Sequence, residues 1–598
     1  MRGESHRGIS DAAMVALLAA TAAVGLGVWL WGGVAGVLFG SGWPHVTAAQ
    51  LAGVVVRLPG RLDDPARAWP RPAAARLPGI AGCYAALALL VVAGVAALRT
   101  LNGSAIVAVL RGPTDGARWA RPGELRELRR RRRGTGRLVL GRHRGRLVSA
   151  EQRHALVAFG PPQSGKSAGL AVPALLEWDG PAVASSIKTD LLAATEGRRR
   201  ALGPVRVFDP FELSGAAGQT WSPLRGAASW DGALEVAWRL AAAGELDQRG
   251  VEGGDFWAVA AEQRLAPLLY AAARTGAGME TVVRWTYGQG TRELDAAISQ
   301  LTGSARDAVE LEGAHAAYDA LRAFEAQADR TRTSIEATAQ GLLRAYRFAR
   351  VIRSAASCEI DPDRLLDERA TVYLIGDAKA SKLLRPIFLA LLSEIVDRAY
   401  ERATLAGGRL DLPLLLCLDE AGNVAPLPNL AEVASTAPSH NIQLVSIFHD
   451  LAQARSRYGT QAETVVNSHR ARMLLPGVAD LETLRYFSGL AGEEEARDTQ
   501  RTTGIDGGTR TTGRRRRPLV APEALRQLPP GHALLLYGRI PPALVRLRMW
   551  FADRRLRALA RGRPPAQHGE PPTHRGAPPH HGGPPRSGAT PADPDGVA

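Results

Sequence analysis

An octapeptide, Gly160-Pro-Pro-Gln-Ser-Gly-Lys-Ser167, follows the short apolar run Ala155–Phe159 and precedes the helix-like stretch Ala168–Glu177. The pattern GxxxxGK[ST] between a strand and a helix leaves little choice of fold. The loop must curl until its backbone N–H groups and the positive end of the helix converge, which makes a cradle for phosphate oxygens. Strand, loop and helix in that order open a parallel α/β sheet. Gly160 and Gly165 supply the tight curvature, and Pro161, Pro162, Gln163 and Ser164 form the bend between them. Lys166 is positioned to reach β- and γ-phosphates, and Ser167 to hold Mg²⁺. The chain has four lysines in all, Lys166, Lys188, Lys379 and Lys382, against 74 lysines and arginines together. With lysine that scarce, chance yields on the order of 0.005 such motifs in a chain of this composition.

A phosphate cradle needs a second, acidic element before it can turn over ATP. Five apolar residues, Leu414–Leu418, end in Asp419 and Glu420, as expected of a buried strand with carboxylates at its C-terminal end. Asp419 is the expected Mg²⁺ partner beside Ser167, and Glu420 the general base that polarises the attacking water. About 250 residues separate the two motifs, more than a minimal nucleotide-binding unit needs. Residues 228–355 account for the difference: the stretches 230–243, 256–274, 292–301 and 330–347 carry helical periodicity, which predicts an all-helical insertion. Strand-like runs at Ala182–Ile187, Val205–Phe208, Thr371–Ile375, Gln443–Phe448, Arg472–Leu475, Ala533–Tyr537 and Leu544–Met549 complete an α/β sheet split into 147–227 and 356–555.

Residues 12–44 and 77–98 contain no charged side chain. Each run is long enough for a membrane-spanning helix of about 20 residues, and the first is too long for the h-region of a cleaved signal peptide. The expectation is a membrane anchor over 1–98 with spans at about 12–40 and 77–98 and a short external loop at 45–76. The connector 99–146 holds 14 arginines and three acids. That excess favours cytoplasmic termini, as does a site for ATP. Arg129–Arg133 is a run of five arginines able to meet anionic lipid or nucleic acid, or simply solvated. The three cysteines, Cys83, Cys358 and Cys417, have no ligand-like spacing, which excludes a disulfide framework and a cysteine-built zinc site. The tail 562–598, rich in Pro, Gly and His, reads as disordered.

From about Gly141 to Trp550 the chain resembles the TraG/TraD family of type IV secretion coupling proteins. The resemblance rests on an ordered set of short pieces. Ser186-Ile-Lys-Thr-Asp190, Val207-Phe-Asp-Pro210 and Trp221-Ser-Pro-Leu224 follow the phosphate loop, and Phe256-Trp257 opens a helix as in the family's all-alpha domain. Thr371–Ile375 with Leu384-Arg-Pro386, Leu418-Asp-Glu-Ala-Gly-Asn423 with Pro426-Leu-Pro428, Asp450-Leu-Ala-Gln453 with Tyr458-Gly459, and Asp480 with Thr483 continue it. The resemblance implies a RecA/FtsK-like P-loop NTPase using ATP and Mg²⁺ and assembled as a ring-shaped homo-hexamer in the cytoplasmic membrane. It implies recruitment of DNA with its relaxase, or of protein cargo, for delivery to type IV secretion channel components.

Two positions depart from the family pattern. His449 stands where the family has a glutamine that senses the γ-phosphate, and a neutral imidazole can donate there in place of an amide. The segment Thr436-Ala-Pro-Ser-His-Asn441 lacks the arginine that many relatives extend to a neighbouring subunit's ATP, leaving Arg455, Arg470 and Arg472 as candidates. Competing readings are a double-stranded DNA translocase of the FtsK/SpoIIIE kind, secretion of protein alone, and a non-hydrolysing membrane docking receptor. The helical insertion and the lack of a carboxy-terminal winged-helix pattern favour the coupling protein.

Overall fold

The computed structural model describes residues 11–102, 116–129, 136–248, 254–504 and 507–562. The tail beyond 562 and all but the first of the arginines at 129–133 lie outside the described residues. The chain divides into two compact units, Met1–Gly116 and Ala117–Ala598.

In the first unit both charge-free runs are helical, Asp11–Phe39 over 29 residues and Ile80–Asn102 over 23. They pack through Trp31, Ala35, Cys83 and Ala86, and the Trp31 indole donates to the Cys83 carbonyl at 2.7 Å. Between them a helix, Ala48–Arg57, starts at a capping box on Thr47 and Gln50 and buries Val54 against Ala68, Trp69 and Ala73. Side chains of the two long helices are described over 23–39 and 80–94, and among the described residues no helix is long and apolar enough to cross a membrane.

The second unit is built on one eleven-stranded sheet. Its early strands are β1 (Val139–His143), β2 (Arg146–Ser149), β3 (Leu156–Phe159), β4 (Ala182–Ser186) and β5 (Val205–Phe208). After the helical insertion come β6 (Thr371–Ile375), β7 (Leu414–Leu418), β8 (Ile442–Phe448) and β9 (Ala471–Leu474). A separate two-stranded ribbon follows, β10 (Glu493–Gly504) and β11 (Gly507–Pro518), and the large sheet closes with β12 (His532–Tyr537) and β13 (Ile540–Arg546). The order is β2-β1-β13-β12-β9-β3-β8-β7-β4-β6-β5. From β9 to β5 every pairing is parallel, whereas β12, β13, β1 and β2 extend one edge antiparallel. The parallel strands are covered on both faces, so β7 and β8 are buried at every position and read as continuous apolar runs rather than alternating ones.

Two boundaries differ from the sequence reading. The expected connector 99–146 is not a separate segment, because β1 and the first residue of β2 lie within it and join the sheet. Ala120 N–H also donates to the Pro542 carbonyl at 2.8 Å, so the nucleotide-binding unit begins near Ala117 rather than at 147. These strands are short and arginine-rich, and edge strands need no apolar run to be recognised by the sheet. Likewise the strand expected over 544–549 is β13, which ends at Arg546, and a helix, Arg554–Ala560, follows it beyond residue 555.

Between β5 and β6 seven helices, from Trp230–Gln248 to Ala349–Ser354, form the insertion. Its two ends meet where Trp221 N–H donates to the Ser354 carbonyl at 2.8 Å. It is pinned to the sheet layer by the helix Ala378–Leu405: Glu394 accepts from the Trp221 indole at 2.8 Å and Asp397 from Arg239 at 2.9 Å. Between-strand insertion lets a helical body be added without interrupting any parallel pairing.

Candidate functional site

The functional side chains gather at the C-terminal ends of β3, β7 and β8, where open α/β sheets place their ligands. β8 lies between β3 and β7, so the phosphate loop and the acidic strand are not neighbours and the residue after β8 is placed between them. The loop 160–167 turns through left-handed backbone at Gln163 (φ 66°) and Gly165 (φ 91°). At Gly165 a Cβ would stand 2.6 Å from the Met549 methyl as well as in a strained conformation, so glycine is required there. A π-helical turn, Ser167–Ala171, leads into the helix Val172–Glu177.

Lys166 and Ser167 each meet one carboxylate of the acidic strand. Ser167 Oγ donates to Asp419 Oδ2 at 2.5 Å. Lys166 Nζ is hydrogen-bonded to Glu420 Oε1, and both side chains are buried. His449 Nε2 lies 2.8 Å from Glu420 Oε1 and 2.7 Å from Oε2, and Asn423 Nδ2 donates to Oε2 at 2.9 Å. Glu420 itself sits in left-handed backbone (φ 64°), a conformation disfavoured for a residue with a side chain and one that recurs at sites where geometry is dictated by function.

The two adjacent carboxylates are driven apart in acidity. Burial raises Asp419 to about 6, only partly opposed by the Ser167 hydroxyl and the Lys166 charge. Burial also raises Glu420, but hydrogen bonds from His449 and Lys166 and their charge outweigh it and hold the group at about 2. Asp419 Oδ1 is buried and has no hydrogen-bond partner among the described residues. A carboxylate oxygen left bare beside a serine hydroxyl, at the foot of a phosphate loop, has the donor chemistry that a hard divalent cation takes. The surrounding cavity, about 1120 Å³, runs from the phosphate loop past Lys188 and Asp190 to Arg526, Pro530, Met549 and Phe551.

Across the sequence, the family model for type IV secretory system conjugative DNA transfer matches residues 118–568. The chain belongs to that family. The match starts at the residue where the second unit begins, consistent with the early boundary of the sheet. Among characterised relatives, the conjugal transfer protein TraG of Escherichia coli is 25% identical over 408 residues, covering 62% of this chain and 61% of that protein. VirD4 of Rhizobium rhizogenes is 23% identical over 467 residues, 74% of this chain and 66% of its own. The chain thus spans about three-fifths of the length of the TraG relatives it matches. Solved structures of the bacterial conjugative coupling protein TrwB share the fold: one lacking 70 N-terminal residues superposes with a TM-score of 0.54 at 19% identity, over 73% of this chain and 93% of that one. A second TrwB structure, in complex with ADP and Mg²⁺, gives 0.53 at 18% identity.

Every residue that the sequence singled out for this family's chemistry, Gly160 to Ser167, Asp419, Glu420 and His449, lines or adjoins the same cavity. The orientation of His449 was not foreseeable: its ring faces the Glu420 carboxylate, and its backbone N–H donates to Gln453 Oε1 at 2.8 Å. None of the three arginine candidates is turned to the cavity. Arg455 is paired with Glu463 at 2.7 Å and with Glu482, Arg470 with Glu151 at 3.5 Å, and Arg472 donates to the Val466 and Asn467 carbonyls at 3.0 Å.

Sequence reasoning missed the wall that the C-terminal segment builds. Trp550 N–H donates to the Ala168 carbonyl at 3.0 Å, and buried Arg548 joins Glu177 at 2.8 Å to Asp553 at 2.9 Å, so residues 547–553 clamp the helix of the phosphate loop. Arg526, at the end of the short helix Pro522–Arg526, lines the cavity from the same side. No motif marks these residues, although an unpaired acid at Glu177 on the expected helix is a faint signal.

Proposed function

We propose that this chain is a membrane-anchored P-loop ATPase that couples ATP hydrolysis to the transfer of DNA with its relaxase, or of protein cargo, into a type IV secretion channel. The observation that carries the reading is the convergence of Lys166, Ser167, Asp419, Glu420 and His449 at one cavity in a member of the conjugative DNA transfer family. The TrwB structure with ADP and Mg²⁺ supports the same ligands here.

Bound nucleotide places its β- and γ-phosphates against the loop N–H groups, and Lys166 leaves Glu420 to meet them. Ser167 and Asp419 hold Mg²⁺, which supplies charge neutralisation at the phosphates. Without the lysine, Glu420 loses a hydrogen bond and a compensating charge, and burial then drives its acidity back up. The carboxylate becomes a stronger base at the moment a phosphate arrives, which suits it to accept a proton from the attacking water. His449, still hydrogen-bonded to Glu420, fixes the orientation of that base and is close enough to register the γ-phosphate. A homo-hexamer in the cytoplasmic membrane, anchored by the helices Asp11–Phe39 and Ile80–Asn102 with 45–76 outside, completes the reading. The domain reading rests on the same description: an anchor, a nucleotide-binding unit from about Ala117, and the helical insertion between β5 and β6 as the part that meets cargo.

Purified full-length protein in detergent tests the core of this reading. The parent should hydrolyse ATP in the presence of Mg²⁺, and Lys166→Ala should be inactive with its membrane insertion unchanged. Undiminished turnover in Lys166→Ala, or none in the parent with or without DNA, overturns it.

A further inference from the structure

The ribbon β10–β11 stands apart from the large sheet. Its strands pair through twelve registered positions, from Glu493 opposite Pro518 to Gly504 opposite Gly507, and with no other strand among the described residues. An isolated two-stranded ribbon is marginal in water, and like charges directly opposite one another weaken it further. The register nonetheless sets Arg497 opposite Arg514 and Arg501 opposite Arg510. Because successive residues alternate between faces, both pairs belong to one face, with Thr499 opposite Thr512 between them and Thr503 beyond. From position 497 to the tip of β10 and back to 514, that face carries four arginines and three threonines and no carboxylate. Asp498 falls on the other face. Near the root the charges are balanced: Glu494 accepts from Arg517 at 2.9 Å, and Glu495 from Arg514 at 3.4 Å.

We propose that this face of the ribbon binds the phosphate backbone of the transferred DNA. The inference rests on the DNA-transfer reading above. A polyanion relieves the like-charge pairs that the bare ribbon must tolerate. The two arginine pairs are four residues apart, roughly 13 Å at about 3.3 Å per residue. That spacing covers about four phosphate steps at roughly 3.4 Å each along one B-form strand. Threonine hydroxyls between the arginines add the neutral donors that commonly fix a backbone in register. A membrane surface is a poorer match, since interfacial elements pair their basic residues with apolar ones and this face has none.

The ribbon is also joined closely to the nucleotide cavity. Its root is closed by Leu519 N–H donating to the Gly492 carbonyl at 2.9 Å and by Ser488 Oγ donating to the Val520 carbonyl at 2.7 Å. Two residues further on, the helix Pro522–Arg526 begins, and Arg526 lines the cavity. Load on the ribbon therefore reaches the rim of the nucleotide site through a short, hydrogen-bonded path.

The test uses full-length protein in phosphatidylcholine nanodiscs and a fluorescent single-stranded oligonucleotide, with anisotropy followed across a salt series. Replacing Arg497, Arg501, Arg510 and Arg514 together by glutamine should weaken binding at low salt by at least about 100-fold. It should also lower the slope of log K against log salt by about 3, four contacts at about 0.7 each. The matching four-lysine variant should keep most of the parent slope, and both variants should bind a fluorescent ATP analogue like the parent. A double change at the root, Glu494→Gln with Arg517→Gln, should leave oligonucleotide binding unaltered. If the parent binds the oligonucleotide and the four-glutamine variant keeps its affinity and slope, the ribbon assignment falls while the DNA reading stands. If the parent shows no oligonucleotide binding, both fall. Loss of binding in the four-lysine variant as well, or ribbon-dependent capture of phosphatidylglycerol vesicles in place of the oligonucleotide, also overturns the assignment.

Discussion

Replacing Glu420 by glutamine should tighten nucleotide binding while slowing hydrolysis. In the ligand-free protein Lys166 is held by Glu420, with both side chains buried, and a nucleotide must compete with that pair for the lysine. A hydrogen bond between charged groups contributes about 1.5–3 kcal/mol. The cost of separating them lies in the lower half of that range, because Glu420 keeps His449 at 2.7 Å and Asn423 at 2.9 Å when the lysine leaves. At about 1.5–2 kcal/mol, and about 1.4 kcal/mol per factor of ten, glutamine should improve affinity roughly 10- to 30-fold. Turnover should drop by about 10²–10⁴ with the loss of the base. Titration of the full-length protein with a fluorescent ATP analogue and Mg²⁺ measures the first effect, and phosphate release the second. A double-mutant cycle isolates the cause: in a Lys166→Ala background, Glu420→Gln should change affinity by less than about threefold, since no lysine remains to be released. Unchanged or weaker binding by Glu420→Gln in the parent background would refute the competition between the pair and the nucleotide.

His449→Gln should retain turnover and His449→Ala should lose about 10- to 100-fold in kcat, because only the former keeps a donor beside Glu420; equal activity of the alanine variant and the parent from pH 5 to 8 would remove His449 from the site. Asp419, raised to about 6 by burial in the ligand-free protein, binds a proton more readily folded than unfolded. Folding stability from this group therefore falls as pH rises through about 4 to 6, and Mg²⁺-dependent nucleotide binding should weaken as pH drops below 6. Thermal melts and analogue titrations of Asp419→Asn, expected to melt higher than the parent at pH 7.5 yet to lose the Mg²⁺ dependence, check both signs. Single cysteines placed within 45–76 should react with an impermeant maleimide in intact cells, whereas labelling of native Cys358 or Cys417 under the same conditions would contradict a cytoplasmic second unit.

The chemistry of this protein is written locally, and so it could be read from the chain. A phosphate cradle is made by consecutive backbone N–H groups, so Gly160 to Ser167 suffice to announce it. A parallel strand buried on both faces must be apolar throughout, so Leu414–Leu418 followed by two acids marks the strand that faces the cradle. Helical periodicity between β5 and β6 likewise carries its own signature. Tertiary structure decided everything that depends on residues far apart in sequence. It brought Lys166 onto Glu420 across 254 positions and turned His449 toward the same carboxylate. It split the acidity of Asp419 and Glu420, whose neighbours in sequence are nearly the same but whose burial and partners differ. It also recruited Arg142, on β1, and Arg548, just past β13, to the acid Asp553 at the far end of the fold. β1, β2 and β13 escape sequence patterning because edge strands borrow their order from the sheet they join. Charge pairs such as Arg548 with Glu177 exist only once packing has removed both partners from water, and no local pattern of residues specifies that distance.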